Sequence, residues 1–138
     1  KEHIRSILRE VTDIESIADA ICNIARHLKR KYEANCVFDE TLIKNINEMY
    51  DLVEKSYENM QKMLQDPTIT ENELIESKNM ESAINNKRNI LKKRNVEDVN
   101  NSVYSYQNGV FYMDIISECE RLGDYIINVV ESIKIKSK

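Results

Sequence analysis

The stretch Glu118-Cys119-Glu120-Arg121-Leu122-Gly123-Asp124-Tyr125-Ile126-Ile127-Asn128 sets Cys119, Gly123 and Ile126 at steps of four and three, continuing from Ile116 before it to Val130 after it. That period keeps one face of an α-helix turned inward. Followed outward through Val99, Val103, Tyr106, Val110, Met113 and Ile133, it predicts a long last helix over 97–135. Three earlier segments repeat the pattern. Ile7, Val11, Ile14, Ile17, Ala18, Ile21, Ala25 and Leu28 predict a first helix over 2–33 with that face inward. Leu42, Ile46, Met49, Val53, Met60 and Met63 predict a second over 39–65, and Leu74, Met80, Ile84 and Leu91 a third, more polar one over 71–94.

Boundary residues agree with this division. Asp39 offers a side-chain oxygen to the free N–H groups of a helix start. Asp66-Pro67 stops the second helix, because proline cannot continue the hydrogen-bond ladder. Thr70-Glu71-Asn72-Glu73 reads as a capping box. Asn95 to Asp98 form the expected short connection to the last helix. Gly109 falls inside that helix and is expected to loosen its first half, since interior glycine costs about 1 kcal/mol relative to alanine.

Two glycines and one proline in 138 residues leave a many-stranded sandwich or barrel nowhere to put its turns. With 41% hydrophobic residues the chain can build a real core, so the expected fold is all-α: a single domain, 1–138, folded as an antiparallel four-helix up-down bundle. No window approaches the roughly 18 consecutive apolar residues of a membrane span, and no charged-then-apolar leader is present. The start at Lys1 points to a processed chain or a domain cut from a longer protein. A formal charge of −4, with basic and acidic residues interspersed, argues against nucleic-acid binding. Cys22, Cys36 and Cys119 lack paired spacing and fit thiols in a reducing, cytoplasmic setting, two of them on or beside apolar helix faces.

The segment 118–128 also has a counterpart 105 positions earlier, Asp13-Ile14-Glu15-Ser16-Ile17-Ala18-Asp19-Ala20-Ile21-Cys22-Asn23. Glutamate, aspartate, isoleucine and asparagine coincide, which a shared helical period alone does not require. At about 100° per residue, Glu15, Asp19 and Asn23 form one stripe and Glu120, Asp124 and Asn128 another. Each lies roughly 160° from its helix's apolar face and is expected to point outward. Carboxylates one turn apart repel unless lysines or a cation compensate. The stripes are therefore either solvated acidic faces or oxygen ligands for hard or borderline cations.

Glu120-Arg121-Leu122-Gly123-Asp124, followed by Asn128 and Glu131, resembles the E-R-I-G-D…N…E signature of the PhoU family of phosphate-uptake regulators. Phe38 to Leu64 resembles that family's first repeat helix, and Glu81-Ser82-Ala83-Ile84-Asn85 with Lys87 and Arg88 its middle helix. The first helix keeps Glu15, Asp19 and Asn23 but has Ser16 and Ala18 where arginine and glycine are usual. One signature helix followed by a complete repeat resembles the soluble C-terminal portion of bacterial sodium/phosphate cotransporter-like proteins. The resemblance implies a bundle of PhoU type and metal ligation by Glu15, Asp19, Glu120 and Asp124, with Glu81 joining them, for iron, zinc or manganese. It further implies a non-catalytic regulatory domain of phosphate transport on the cytoplasmic side of a membrane. Its partners would be the transporter portion of the same chain, a regulatory protein, or a second copy in a homo-oligomer.

Catalysis is not expected. Neither His3 nor His27 has the glutamate three positions before it that an inward-facing di-iron site uses. A P-loop, a nucleophile motif and a glycine-rich cradle are lacking as well. The competing expectation is a metal-free helical module whose acidic faces dock a partner by charge.

Overall fold

The computed structural model describes residues 1–66 and 68–135. Four helices form, α1 (Glu2–Glu33), α2 (Glu40–Leu64), α3 (Glu71–Asn100) and α4 (Tyr106–Ser132), and they pack on one another as a helical bundle. Two two-residue strands that the sequence did not suggest, β1 (Thr68–Ile69) and β2 (Lys134–Ile135), pair in parallel, Thr68 with Lys134 and Ile69 with Ile135. They tie the α2–α3 connection to the segment after α4. Among the described residues no helix is long and apolar enough to cross a membrane.

The starts of α2 and α3 are held as the sequence indicates. Asp39 accepts from the Leu42 N–H at 2.8 Å. Thr70 Oγ1 accepts from the Glu73 N–H at 3.2 Å, while Glu73 Oε2 accepts from the Thr70 N–H at 2.6 Å, satisfying two orphan donors reciprocally. α2 ends at Leu64; Pro67 lies outside the described residues.

The junction of α3 and α4 departs from expectation. Residues 95–98 are helical, and the turn falls instead at 101–105, where Ser102 takes a left-handed φ of 59° and Ser105 caps α4 by accepting from the Asn108 N–H at 3.1 Å. Asn95, expected in the connection between helices, is used as a cross-link: its amide donates to the Gly109 carbonyl at 3.3 Å and its Oδ1 accepts from the Tyr104 hydroxyl. Gly109 likewise serves packing rather than flexibility. It is buried, and a Cβ there would lie 2.7 Å from Val99 Cγ2.

α4 is the central helix. It touches α1, α2 and α3, and α2 and α3 touch each other, whereas α1 packs chiefly on α4. Tyr112, Ile115, Ile116, Cys119, Ile126, Val129 and Val130 of α4 are almost fully buried, with Met49, Val53 and Met60 of α2 and Ile84 and Leu91 of α3 in the same core. α1 contributes little to it. Of the eight residues expected to face inward only Ile17 is buried; α1 meets α4 through Ile17, Ala20 and Ile24, and the rest of the expected face is exposed.

Candidate functional site

Gly123 of α4 lies against Ile84 of α3 so closely that a Cβ would sit 3.0 Å from Ile84 Cδ1. This approach brings one face of α3, carrying Glu81, Asn85 and Arg88, onto the flank of α4 that carries Glu120 and Asp124. Arg88 Nε stands 2.9 Å from Glu120 Oε2, both side chains about one quarter exposed. One turn away, Glu81 and Asp124 share a side-chain hydrogen bond, with Asn85 also bonded to Glu81. Partial burial, first of all, lifts both carboxyls above their usual range. The nearby charges of Asp124 and Glu131 lift Glu81 further, and the hydrogen bond with Asp124 acts in the same direction.

The five nominated residues therefore do not form one set. Glu81, Glu120 and Asp124 come together at the α3–α4 seam. Glu15 and Asp19 stay on the exposed surface of α1, as expected. The expectation that both stripes point outward fails for α4, where Glu120 and Asp124 are half-buried, because α3 covers the flank opposite α1. α1 and α4 are indeed neighbours, but they meet through other acids. A cleft of about 470 Å³ between them is lined by Arg9, Asp13, Asn128, Glu131 and Ser132.

One buried acid was not nominated. Glu118 is 4% exposed; its Oε1 accepts from Arg121 Nη1 at 2.8 Å and from Asn23 Nδ2 at 3.2 Å, while Oε2 is buried without a partner. Asn23 thus leaves the exposed stripe of α1 to reach α4, and its Oδ1 accepts from Arg26 Nη1 at 2.9 Å. The signal is visible in the sequence: Glu118 sits between Ile115 and Leu122, a single carboxylate in an apolar helical stripe. Near it His27 Nδ1 lies 3.9 Å from Asp114 Oδ2, a packing contact on the α1–α4 seam.

Among the described residues no group of three His, Cys, Asp or Glu side chains is placed to hold a metal ion. Arg88 occupies Glu120, and the pair that remains, Glu81 and Asp124, supplies only two carboxylates. Two carboxylates suit a largely hydrated hard cation, whereas iron or zinc clusters need more ligands.

No protein-family model, no curated protein and no solved structure matches this chain.

Proposed function

We propose that this chain is a PhoU-like regulatory domain that modulates phosphate transport without chemistry of its own, from the cytoplasmic side of a transporter to which it is tethered. The observation that carries the reading is the use made of Glu120-Arg121-Leu122-Gly123-Asp124. Its glycine admits α3, and both of its acids are engaged there by Glu81 and Arg88. The antiparallel up-down course of a PhoU-type bundle is supported by paired contacts whose residue numbers run in opposite directions. Asn23–Glu118 and His27–Asp114 join α1 to α4, Lys87–Glu48 and Asn59–Ser77 join α3 to α2, and Glu81–Asp124 and Asn95–Gly109 join α3 to α4.

In this reading the α3–α4 seam is the element that switches. A cation bound between Glu81 and Asp124, or a basic partner surface competing with Arg88 for Glu120, would favour one arrangement of α3 against α4. Only a difference in affinity between two arrangements can shift a transporter. The metal-free interaction module is the second reading, favoured by the lack of a three-ligand group among the described residues. Elemental analysis after incubation with manganese, iron or zinc separates the two.

The functional test is phosphate uptake by cells carrying the intact protein against cells in which residues 1–138 are deleted in place. It is run at matched membrane abundance, in phosphate-replete and phosphate-starved media. Regulation predicts that deletion changes uptake in one medium more than in the other; identical uptake in both overturns it.

A further inference from the structure

On α1, Ile4, Ile7, Val11, Ile14, Ala18, Ile21, Ala25 and Leu28 follow one another at alternating steps of three and four, the spacing of a coiled-coil seam. All eight are exposed, the aliphatic ones other than alanine by 40% to 63%. α1 has already met α4 through a different seam, Ile17, Ala20 and Ile24, so this one is a second, largely uncovered apolar face, with Ile7 and Ile21 at the edge of clefts shared with α2 and α4. With Leu8 at 60% exposure beside it, the patch is on the order of 600 Å², at the upper limit of what monomeric proteins show.

We propose that this seam is a self-association surface, on which α1 of one copy lies antiparallel along α1 of a second copy. Three features select a second copy as the occupant. First, the seam is self-complementary in size. Run antiparallel about a point between Ala18 and Ile21, it sets Val11 of one copy against Leu28 of the other, Ile14 against Ala25, Ala18 against Ile21, and Ile7 against Tyr32, itself 81% exposed. Each small residue faces a large one, as knobs-into-holes packing requires.

Second, charge and helix length disfavour the nearest alternatives. A parallel pair places Glu10 beside Glu15 of the other copy. An antiparallel pair slid by one heptad toward the N-terminus places Glu15 on its own twin; slid the other way, it sets Ile7 and Val11 opposite residues beyond the end of α1 at Glu33. Like charges across a seam are unfavourable. The proposed register instead sets Glu15 against Cys22 and Leu8 against the aliphatic stem of Lys29, all four being exposed.

Third, the area is adequate. The patch and the exposed flank carrying Glu15, Cys22 and Lys29 approach the roughly 800 Å² per partner of a stable interface.

The test uses the 138-residue chain and a variant with Ile14→Asp and Ala18→Asp, both at exposed positions outside the buried core. Sedimentation equilibrium should show a concentration-dependent dimer for the parent chain. The variant's dissociation constant should be weaker by at least about 100-fold, with unchanged circular dichroism and melting temperature for its monomer.

Register is read with Glu15→Cys in the chain that keeps Cys22, its exposed native cysteine. A short bis-maleimide should join residue 15 of one copy to residue 22 of the other. A chain that stays monomeric at every concentration, or a dimer indifferent to the double substitution, overturns the proposal. So does a cross-link that joins residue 15 only to itself. Binding of a strictly monomeric chain to anionic lipid vesicles, lost in the variant, would assign the seam to a membrane surface and equally overturn it.

Discussion

Glu81 and Asp124 face each other within side-chain hydrogen-bond reach across the α3–α4 seam, so two acids that repel in their charged forms are held side by side and partly buried. Both groups are raised, above ordinary values of 4.5 for Glu81 and 3.8 for Asp124. The folded chain therefore holds these protons more tightly than the unfolded chain. The pair's stabilisation is complete below the ordinary carboxylate range and is lost as pH rises through the raised folded-state values. Glu81→Gln keeps a donor and removes a charge. Relative to the parent, it should gain more in urea midpoint at pH 7 than at pH 4. An equal difference at both pH values would show that folding does not raise this pair.

Asn23→Ala removes one of the two partners of buried Glu118 Oε1, leaving Arg121 alone on a carboxylate whose other oxygen already has no partner. The expected loss is about 1–3 kcal/mol, measured by urea denaturation. Because Asn23 is on α1 and Glu118 on α4, cleavage by a low dose of trypsin should rise first within α1. Unchanged stability would mean that the contact is dispensable.

Gly109→Ala places a methyl group 2.7 Å from Val99 Cγ2, on a β-branched side chain with little rotamer freedom. Overpacking of about 1–3 kcal/mol should outweigh the propensity gain of about 1 kcal/mol and lower the melting temperature. Val99→Ala in the same chain removes the clashing methyl, so the double variant should be more stable than the sum of the single losses. Strict additivity would place the crowding elsewhere.

Cys22 is exposed, whereas Cys36 and Cys119 are buried and the Cys119 thiol is pushed up to about 12 by burial. A thiolate-selective reagent at pH 8 should react quickly with Cys22 alone in the native protein and with all three cysteines after denaturation. Fast reaction of a second native thiol would contradict the burial of Cys36 in the α1–α2 connection or of Cys119 on α4.

Helix identity, three of the four starts and the cores of α2 and α3 were legible because apolar period and capping chemistry are local. What the period of one helix does not encode is how many neighbours cover it. On α4 the wheel placed Glu120 and Asp124 outside, as for a helix at the rim of a bundle. α4 is surrounded on three sides, so that flank is a seam with α3. On α1 the wheel found the broader apolar face, yet α4 binds the narrower one, Ile17, Ala20 and Ile24. The α3–α4 boundary was misplaced because Asn95 to Asp98 read as a connection until Tyr104 and Gly109 are known to bind the Asn95 amide. Glu81, Glu120 and Asp124 could be nominated from the sequence. The arginine that holds Glu120 and the burial of Glu118 required the packing.

The central position of α4 also has a consequence for synthesis. The helix on which the others pack follows them in chain order, so α1, α2 and α3 leave the ribosome before the surface that buries most of their contacts exists. α1 must wait longest, since Asn23 and Glu118 are 95 residues apart. Closing so long a loop delays productive folding and leaves apolar surface open in the meantime. A nascent chain halted before Tyr106 would keep its α1 unanchored, a state that invites chaperone capture until translation resumes.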